Sequence, residues 1–247
     1  NQTPSAFAAL DRADHDRGGR DQLSLRLVIF GGEALDPRRL AGWYQRRGEH
    51  AHLVNMYGIT ETTVHVTYRP LSPTDTEQRS SLIGRAIPDL KLLLLDGETM
   101  RPVPRGEIGE IFVAGAGLAR GYLNRPELNA ARFVPHPDEP GARLYRSGDL
   151  ARQVDEDDYE YLGRADQQVK IRGFRVELGE IETALMAHPG IGQAAVLLRS
   201  DDGNERLVGY LVADGTERPS AAALKARLGE TLPAHMMPAA FVFVPDI

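Results

Sequence analysis

The sequence has no cysteine among its 247 residues, which excludes disulfides, thiolate metal sites and cysteine nucleophiles. It has no apolar run approaching the roughly 20 residues of a membrane-spanning helix, and no signal-peptide pattern opens it. Excess positive charge is missing as well. The formal net charge is −6, which argues against the broad electrostatic footprint of a nucleic-acid-binding protein. With nothing that demands export or a membrane, the cytoplasm is the expected compartment. Other absences are chemical. The seven histidines include no H-x-x-x-H pair, so no zinc helix is expected. No G-x-S-x-G elbow occurs, and Ser147 in "RSGD" reads as a turn residue. "DEDDYE" (155–160) lacks the EF-hand spacing and its glycine, and reads as a solvated hairpin turn.

What is present is ordinary for a globular chain, 42% hydrophobic and 26% charged. The length allows one large domain or two modest ones. The chain begins at Asn1 without an initiator methionine and stops at "FVFVPDI", just past a strand-like run. That reads as a piece of something longer. "LRLVIF" (25–30) is a short, β-branched apolar strand candidate. Asp36-Pro37 then caps and opens a helix expected to run to about Arg47, with Gly48 as its stop. "AHLVNMY" (51–57) reads as a second strand, and strand, helix, strand makes a βαβ unit with parallel strands.

From about 80 to 160 the pattern changes to short strands and Gly/Pro turns: "KLLLLD", "EIGEIFVAG", "LYRSGDLARQ" and "YEYLG". These predict an antiparallel, barrel-like β unit. "ELGEIETALMAHPG" (177–190) predicts a helix ended by Pro-Gly. "QAAVLLRS" and "RLVGYLVAD" predict strands around "DDGN", and "SAAALKARLGETLP" a further helix. The fold class is thus α/β followed by a small α+β block. The domains expected are 1–163 and 164–247.

One stretch does not read as simple structure. "NMYGITETTVHVTY" (55–68) sets Asn55, Tyr57, Thr60 and Glu61 before an alternating run that predicts a strand from Val64. Ligands in an open parallel sheet bind beyond the carboxyl ends of the strands. "GGE" (31–33) and "YGITE" (57–61) both leave strands there. A tyrosine could stack on a flat base, a threonine could donate to a phosphate, and one carboxylate suffices for a hard cation already bound to phosphates. A polar loop over a sheet would need only Gly58 and Asn55. "GAGLARG" (115–121) is one residue off the dinucleotide fingerprint and reads as a turn between β elements.

Taken in order, "NMYGITETT", "GEIFVAGAGLARGYLNRPEL", "YRSGDLAR", "GRADQQVKIRGFRVELGEIE" and "LPAHMMP" resemble the adenylate-forming enzymes, specifically adenylation domains of nonribosomal peptide synthetases. The resemblance implies that 1–163 is the later part of the large core domain and 164–247 a mobile C-terminal subdomain with its hinge at Asp166. It implies ATP, Mg²⁺ and an amino acid as ligands, and a carrier protein bearing phosphopantetheine as partner. Gly31, Gly32, Glu33 and Asn55 would border adenine, with Tyr57 stacked on it, and Met56 and Gly58 would also belong to the ATP site. Thr60 would contact the α-phosphate and Glu61 would hold Mg²⁺. Asp149 would take the ribose hydroxyls, with Tyr161 and Arg164 flanking the nucleotide. Lys170 in "KIRGFR" would lie on the loop that swings to the active site for thioester formation.

The resemblance also places Asn1, Ile29, Gly31, Met56, Val64 and His65 at pocket positions, in an order similar to the pattern for L-threonine. "LNAARF" (128–133) resembles the stretch contacted by MbtH-like accessory proteins. The family's Gly/Ser/Thr/Lys-rich phosphate loop, its substrate-ammonium aspartate and its C-terminal lysine are not among these residues. The chain by itself is therefore expected to form no adenylate. Two other readings stand beside this one: an acyl-CoA or aryl-acid ligase of the same superfamily, and a non-catalytic module that docks a carrier or accessory protein.

Overall fold

A computed structural model describes residues 1–18, 23–165, 168–171, 173–201, 204–215 and 218–247. The chain forms two compact units, residues 1–166 and 167–247. In the first, helix α1 (Pro4–Asp16) is capped by Thr3, whose hydroxyl accepts from the Ala6 N–H, with proline opening the first turn. Strand β1 (Leu27–Phe30) leads to a 3₁₀ turn, Pro37–Leu40, capped by Asp36. Helix α2 (Ala41–Arg47) follows and stops at Gly48, where φ is +57°. The predicted helix is therefore real, but its first turn is the tighter 3₁₀ form. Strand β2 (His52–Asn55) runs parallel to β1 with Phe30 opposite Asn55, closing the βαβ unit.

Strands β3 (Thr67–Leu71) and β4 (Arg85–Ala86) complete this sheet in the order β1-β2-β3-β4, both added antiparallel. Phe7 of α1 meets Phe30 and Trp43 edge-on, at 5.0 and 4.9 Å between ring centroids, so α1 is pinned to the βαβ core by aromatic packing.

A second sheet is wholly antiparallel. Its strands are β5 (Leu90–Leu95), β6 (Ile108–Gly115), β7 (Phe133–Pro135), β8 (Arg143–Gln153) and β9 (Tyr159–Arg164), with helix α3 (Pro126–Arg132) before β7. The order is β5-β6-β8-β7, with β9 paired to β8. Along β6 every side chain from Gly109 to Ala114 is buried, as expected of a central strand covered on both faces. Ser147 is not in a turn. It lies within β8, fully buried, where the register against β6 slips between Glu110 and Phe112. This bulge, with Gly148 at φ +75°, re-aims the residues that follow it. The 155–160 turn is also less solvated than expected, since Asp158 is buried and paired with Arg69 at 2.6 Å.

The second unit opens with a hairpin, β10 (Gln168–Ile171) and β11 (Phe174–Glu177). "KIRGFR" is thus mostly strand, with Lys170 opposite Arg175, rather than a loop. Helix α4 (Leu178–Met186) then precedes β12 (Ile191–Asp201), β13 (Asn204–Ala213), helix α5 (Ala221–Leu228) and β14 (Ala240–Phe243). Here β12 and β13 are antiparallel and β14 joins β13 in parallel. Ile181, Leu185, Val196, Leu207, Leu211, Leu224 and Leu228 form one buried cluster. Each unit therefore has its own apolar core.

Candidate active site

The parallel register of β1 and β2 sets the first part of the site. Because Phe30 faces Asn55, the segments that follow both strands leave the sheet at one level. Gly31–Gly32–Glu33 and Met56–Glu61 are therefore neighbours across twenty-odd residues of sequence, and the Met56 N–H donates to Phe30 O at 2.9 Å. The chain start joins them: Gln2 pairs in parallel with Phe30, and the Gly31 N–H donates to Gln2 O at 3.2 Å. Asn1 is thereby placed beside the loop, with its Nδ2 3.2 Å from His65 Nε2. With the amide donating, Nε2 accepts and the ring proton sits on Nδ1. Burial holds the His65 imidazole below the usual histidine range, so it is neutral near pH 7. A Cβ on Gly31 would lie 3.5 Å from both His65 Cε1 and Met56 O. Of the six pocket candidates, Asn1, Gly31, Met56 and His65 thus share one corner. Ile29 is partly buried on β1, whereas Val64 is 56% exposed and walls nothing here.

The loop itself is closed by its own backbone. The Ile59 carbonyl accepts from the Thr62 and Val64 N–H groups and from the Thr62 hydroxyl, and the Tyr57 carbonyl from Val66 and Thr67. Thr63 and Val64 take positive φ, 58° and 71°. The strand expected from Val64 therefore starts only at Thr67. A Cβ on Gly58 would come within 1.7 Å of Val64 O, so only glycine fits under this fold-back. The result is a rigid loop that presents Thr60 to solvent and leaves Glu61 partly exposed. Glu33 is tied elsewhere, accepting from the N–H and hydroxyl of Ser5 at 3.0 and 2.8 Å. The Asn55 amide is buried and donates to Leu82 O at 2.7 Å.

The β8 bulge supplies the second part. Asp149 is fully buried. Its Oδ2 accepts from the Tyr57 hydroxyl at 2.6 Å, and its Oδ1 accepts from the Tyr161 hydroxyl at 3.2 Å and Arg164 Nη1 at 3.0 Å. Tyr57, Asp149, Tyr161 and Arg164, drawn from three sequence segments, thus form one cluster around the buried carboxylate. Burial first, and then the adjacent Asp149 charge, push the Tyr57 hydroxyl well above its ordinary value, so it remains a donor.

Sequence reasoning missed the residues that hold these groups. Glu110 accepts from Arg146 Nε and from the Gly148 N–H at 3.0 Å, and Ser147 Oγ bridges Ile111 O and the Asp149 N–H at 2.7 and 3.0 Å. Tyr122 donates a short hydrogen bond to Glu61 Oε1. Burial and that bond raise its hydroxyl far above the ordinary tyrosine value. Tyr122 and Ser147 lie inside the quoted "GYLNRPEL" and "YRSGDLAR", but no local pattern marks either as a support. Lys170 belongs to the second unit and Asp166 lies outside the described residues. Among the described residues no group of three or more His, Asp and Glu side chains could hold a metal ion. Glu61 can serve only as a single hard oxygen ligand, which suffices when phosphates supply the rest.

Comparison with known proteins decides the family. Residues 1–123 match the AMP-binding enzyme family and residues 180–247 match its C-terminal domain. The chain belongs to the AMP-binding enzymes. It is 51% identical over 252 aligned positions to a dimodular nonribosomal peptide synthase of Bacillus subtilis (strain 168), covering all of this chain and 10% of that protein. It is 43% identical to syringomycin synthase SyrB1 of Pseudomonas syringae pv. syringae, covering all of this chain and 41% of SyrB1. Among solved structures it superposes on PA1221, described as a nonribosomal peptide synthetase protein containing adenylation and PCP domains, with a TM-score of 0.84 at 33% identity. That match covers 98% of this chain and 40% of PA1221. The match to IdnL1 has a TM-score of 0.86 at 30% identity, covering 99% of this chain and 50% of IdnL1. The AMP-binding chain therefore spans half or less of these relatives. Among its described residues, no helix is long and apolar enough to cross a membrane.

Proposed function

We propose that this AMP-binding chain is part of an enzyme that activates an amino acid with ATP as aminoacyl-AMP. The enzyme then passes the acyl group to the phosphopantetheine thiol of a peptidyl carrier protein. The observation that carries the reading is the convergence of the Gly31–Glu33 and Met56–Glu61 loops at one strand edge. The relatives support it, since one is named a nonribosomal peptide synthase and another contains adenylation and PCP domains. In the first step the amino-acid carboxylate attacks the α-phosphorus and pyrophosphate leaves. In the second the thiol attacks the acyl carbon and AMP leaves.

In this reading Gly31, Gly32, Glu33 and Asn55 border the adenine, Tyr57 stacks on it, and Met56 and Gly58 belong to the same ATP site. Asp149 takes the ribose, flanked by Tyr161 and Arg164. A carboxylate offers about four acceptor positions, so ribose hydroxyls would have to join or replace the three protein donors on Asp149. Thr60 donates to the α-phosphate, and charge growing on its oxygens is met by groups already in place. Glu61 is the protein ligand for Mg²⁺, which when bound neutralises charge on the phosphate oxygens. Lys170 serves thioester formation, and residues 164–247 rotate about Asp166 between the steps. Asp166→Pro should then impair carrier loading while sparing adenylation, since proline fixes φ where a hinge must change it. An MbtH-like protein binding at "LNAARF" belongs to the same reading.

The substrate in this reading is L-threonine. The Asn1–His65 pair offers hydrogen-bonding partners for a β-hydroxyl, while Ile29 and Met56 face its methyl. Serine, lacking one methyl, should be rejected by roughly 1–3 kcal/mol, and valine, which leaves the polar pair unsatisfied, more strongly. Pyrophosphate exchange by the intact protein with threonine, serine, valine and 2-aminobutyrate tests this. Valine equal to threonine would refute the hydroxyl-reading pocket. Equal exchange with acids lacking an amine would refute amino-acid activation altogether.

A further inference from the structure

We propose that Tyr122 is a positioning residue for Glu61, holding the carboxylate in the one direction that serves the metal–nucleotide complex. The proposal rests on the metal role given to Glu61 above. Tyr122 is sixty-one residues away in sequence, yet its hydroxyl donates directly to Glu61 Oε1. An ionised carboxylate can only accept, so the single Tyr122 proton is committed to Glu61. The Tyr145 hydroxyl, 3.1 Å from that of Tyr122, is then the donor of its pair. The chain of donation runs Tyr145 to Tyr122 to Glu61.

Tyr122 is itself fixed at each of its parts. Its N–H donates to Asn129 Oδ1 at 2.6 Å and its carbonyl accepts from Asn129 Nδ2 at 2.9 Å. One amide side chain thus satisfies both backbone groups. That approach needs the glycine before it, since Gly121 has φ +147° and a Cβ there would stand 2.8 Å from Asn129 Oδ1. The ring is set edge-on to Phe133 at 5.7 Å, and Phe133 edge-on to Tyr145 at 5.0 Å. The two segments are also tied through the main chain. The Ala119 N–H donates to Glu61 O at 2.8 Å, and the Thr63 hydroxyl donates to Gly117 O at 2.7 Å.

The chemistry explains why such a support matters. Glu61 stands on a partly exposed loop, so the direction of its carboxylate depends on the groups that hold it. A lone protein ligand has no second carboxylate to correct its aim. Partners that orient a ligating carboxylate typically carry 10–100-fold in metal affinity or activity. The residues from Gly115 to Asn129 thus act on the metal site through one hydroxyl.

The test uses the intact protein with Tyr122→Phe, Glu61→Gln and the double variant. Calorimetric affinity for a non-hydrolysable α,β-methylene ATP is measured without metal and across a Mg²⁺ series, alongside thermal melting. Tyr122→Phe should weaken the Mg²⁺-dependent part of binding by roughly 10–100-fold and leave metal-free affinity unchanged. It should add nothing once Glu61 is glutamine. Asn129→Ala, which keeps the hydroxyl but frees the backbone, should show the same signature at smaller size. A lowered melting temperature with unchanged Mg²⁺ dependence, or an additive double variant, would overturn the positioning role. If Glu61→Gln itself leaves Mg²⁺ dependence untouched, the metal reading falls and this proposal with it. A silent Tyr122→Phe beside an effective Glu61→Gln sinks the proposal alone.

Discussion

Asp149 is 0% exposed in its side chain and Arg164 4%, at 3.0 Å, so neither charge has water to fall back on. Removing one partner of a buried pair leaves the other uncompensated, at about 3–5 kcal/mol. Asp149→Asn should therefore destabilise the protein by about 3 kcal/mol, read as a lower urea midpoint, as well as weaken nucleotide binding. A variant that lost binding at unchanged midpoint would show that the carboxylate matters only to the ligand. His65 makes a different case. Burial lowers its pKa, so the neutral, hydrogen-bonding ring is kept through neutrality and lost only as pH falls through that lowered value. The KM for threonine, the substrate proposed above, should accordingly be flat from about pH 7 upwards and rise on the acid side of the ordinary histidine range near 6.5. A rise centred above that range would place the titrating group elsewhere.

Between elements, α1 is joined to α2 by charge as well as by aromatic packing. Asp14 is buried and accepts from Arg47 Nε at 3.1 Å and Arg46 Nε at 3.4 Å, while Arg46 also pairs with Asp11. The hydrogen bond from Arg47 is the largest influence and holds the Asp14 carboxyl below its ordinary value. A depressed folded-state pKa means stability that is fully present above the unfolded carboxylate value and lost as pH falls through the folded one. Asp14→Asn should therefore destabilise the protein at neutral pH, where the paired carboxylate is ionised. It should also flatten the acid limb of the stability–pH curve, measured by chemical denaturation between about pH 2 and 7. An acid limb of unchanged slope would show that Asp14 contributes no linkage. The helix signals here were legible: Asp36, Pro37 and Gly48 mark α2 on local chemistry alone. The pairing of Asp14 with Arg47 was not, because a charge on a surface-like helix is the same letter whether or not another helix covers it.

At the scale of the molecule, residues 167–247 bury their own apolar cluster. A unit with its own core needs no other for its hydrophobic stabilisation. Expressed alone, residues 167–247 should show a cooperative thermal transition, with a stability of a few kcal/mol. A non-cooperative melt by circular dichroism would mean that the cluster does not suffice. In the sequence the expected boundary, 163/164, rests on the change from β-rich to mixed patterning, while "RADQQVK" has no linker composition, and composition is what betrays a linker.

By itself the sequence determined local elements: β1 by its β-branched apolar run and α2 by its cap and glycine stop. It also determined which loops leave the carboxyl edge of the parallel pair, because the order strand, helix, strand leaves one arrangement open. Tertiary structure decided the rest. The alternation in "VHVTY" promised a strand from Val64, yet Gly58 lets the chain fold back there, and Thr63 and Val64 turn left-handed instead. "RSGD" offered every local sign of a turn, but Glu110 and Arg146 hold it as a bulge inside a strand. Glu61 and Tyr122 meet only because the sheets bring 61 and 122 together. Local propensity is a property of neighbours in sequence. A hydrogen bond to a residue far along the chain is a property of packing, and no spacing encodes it.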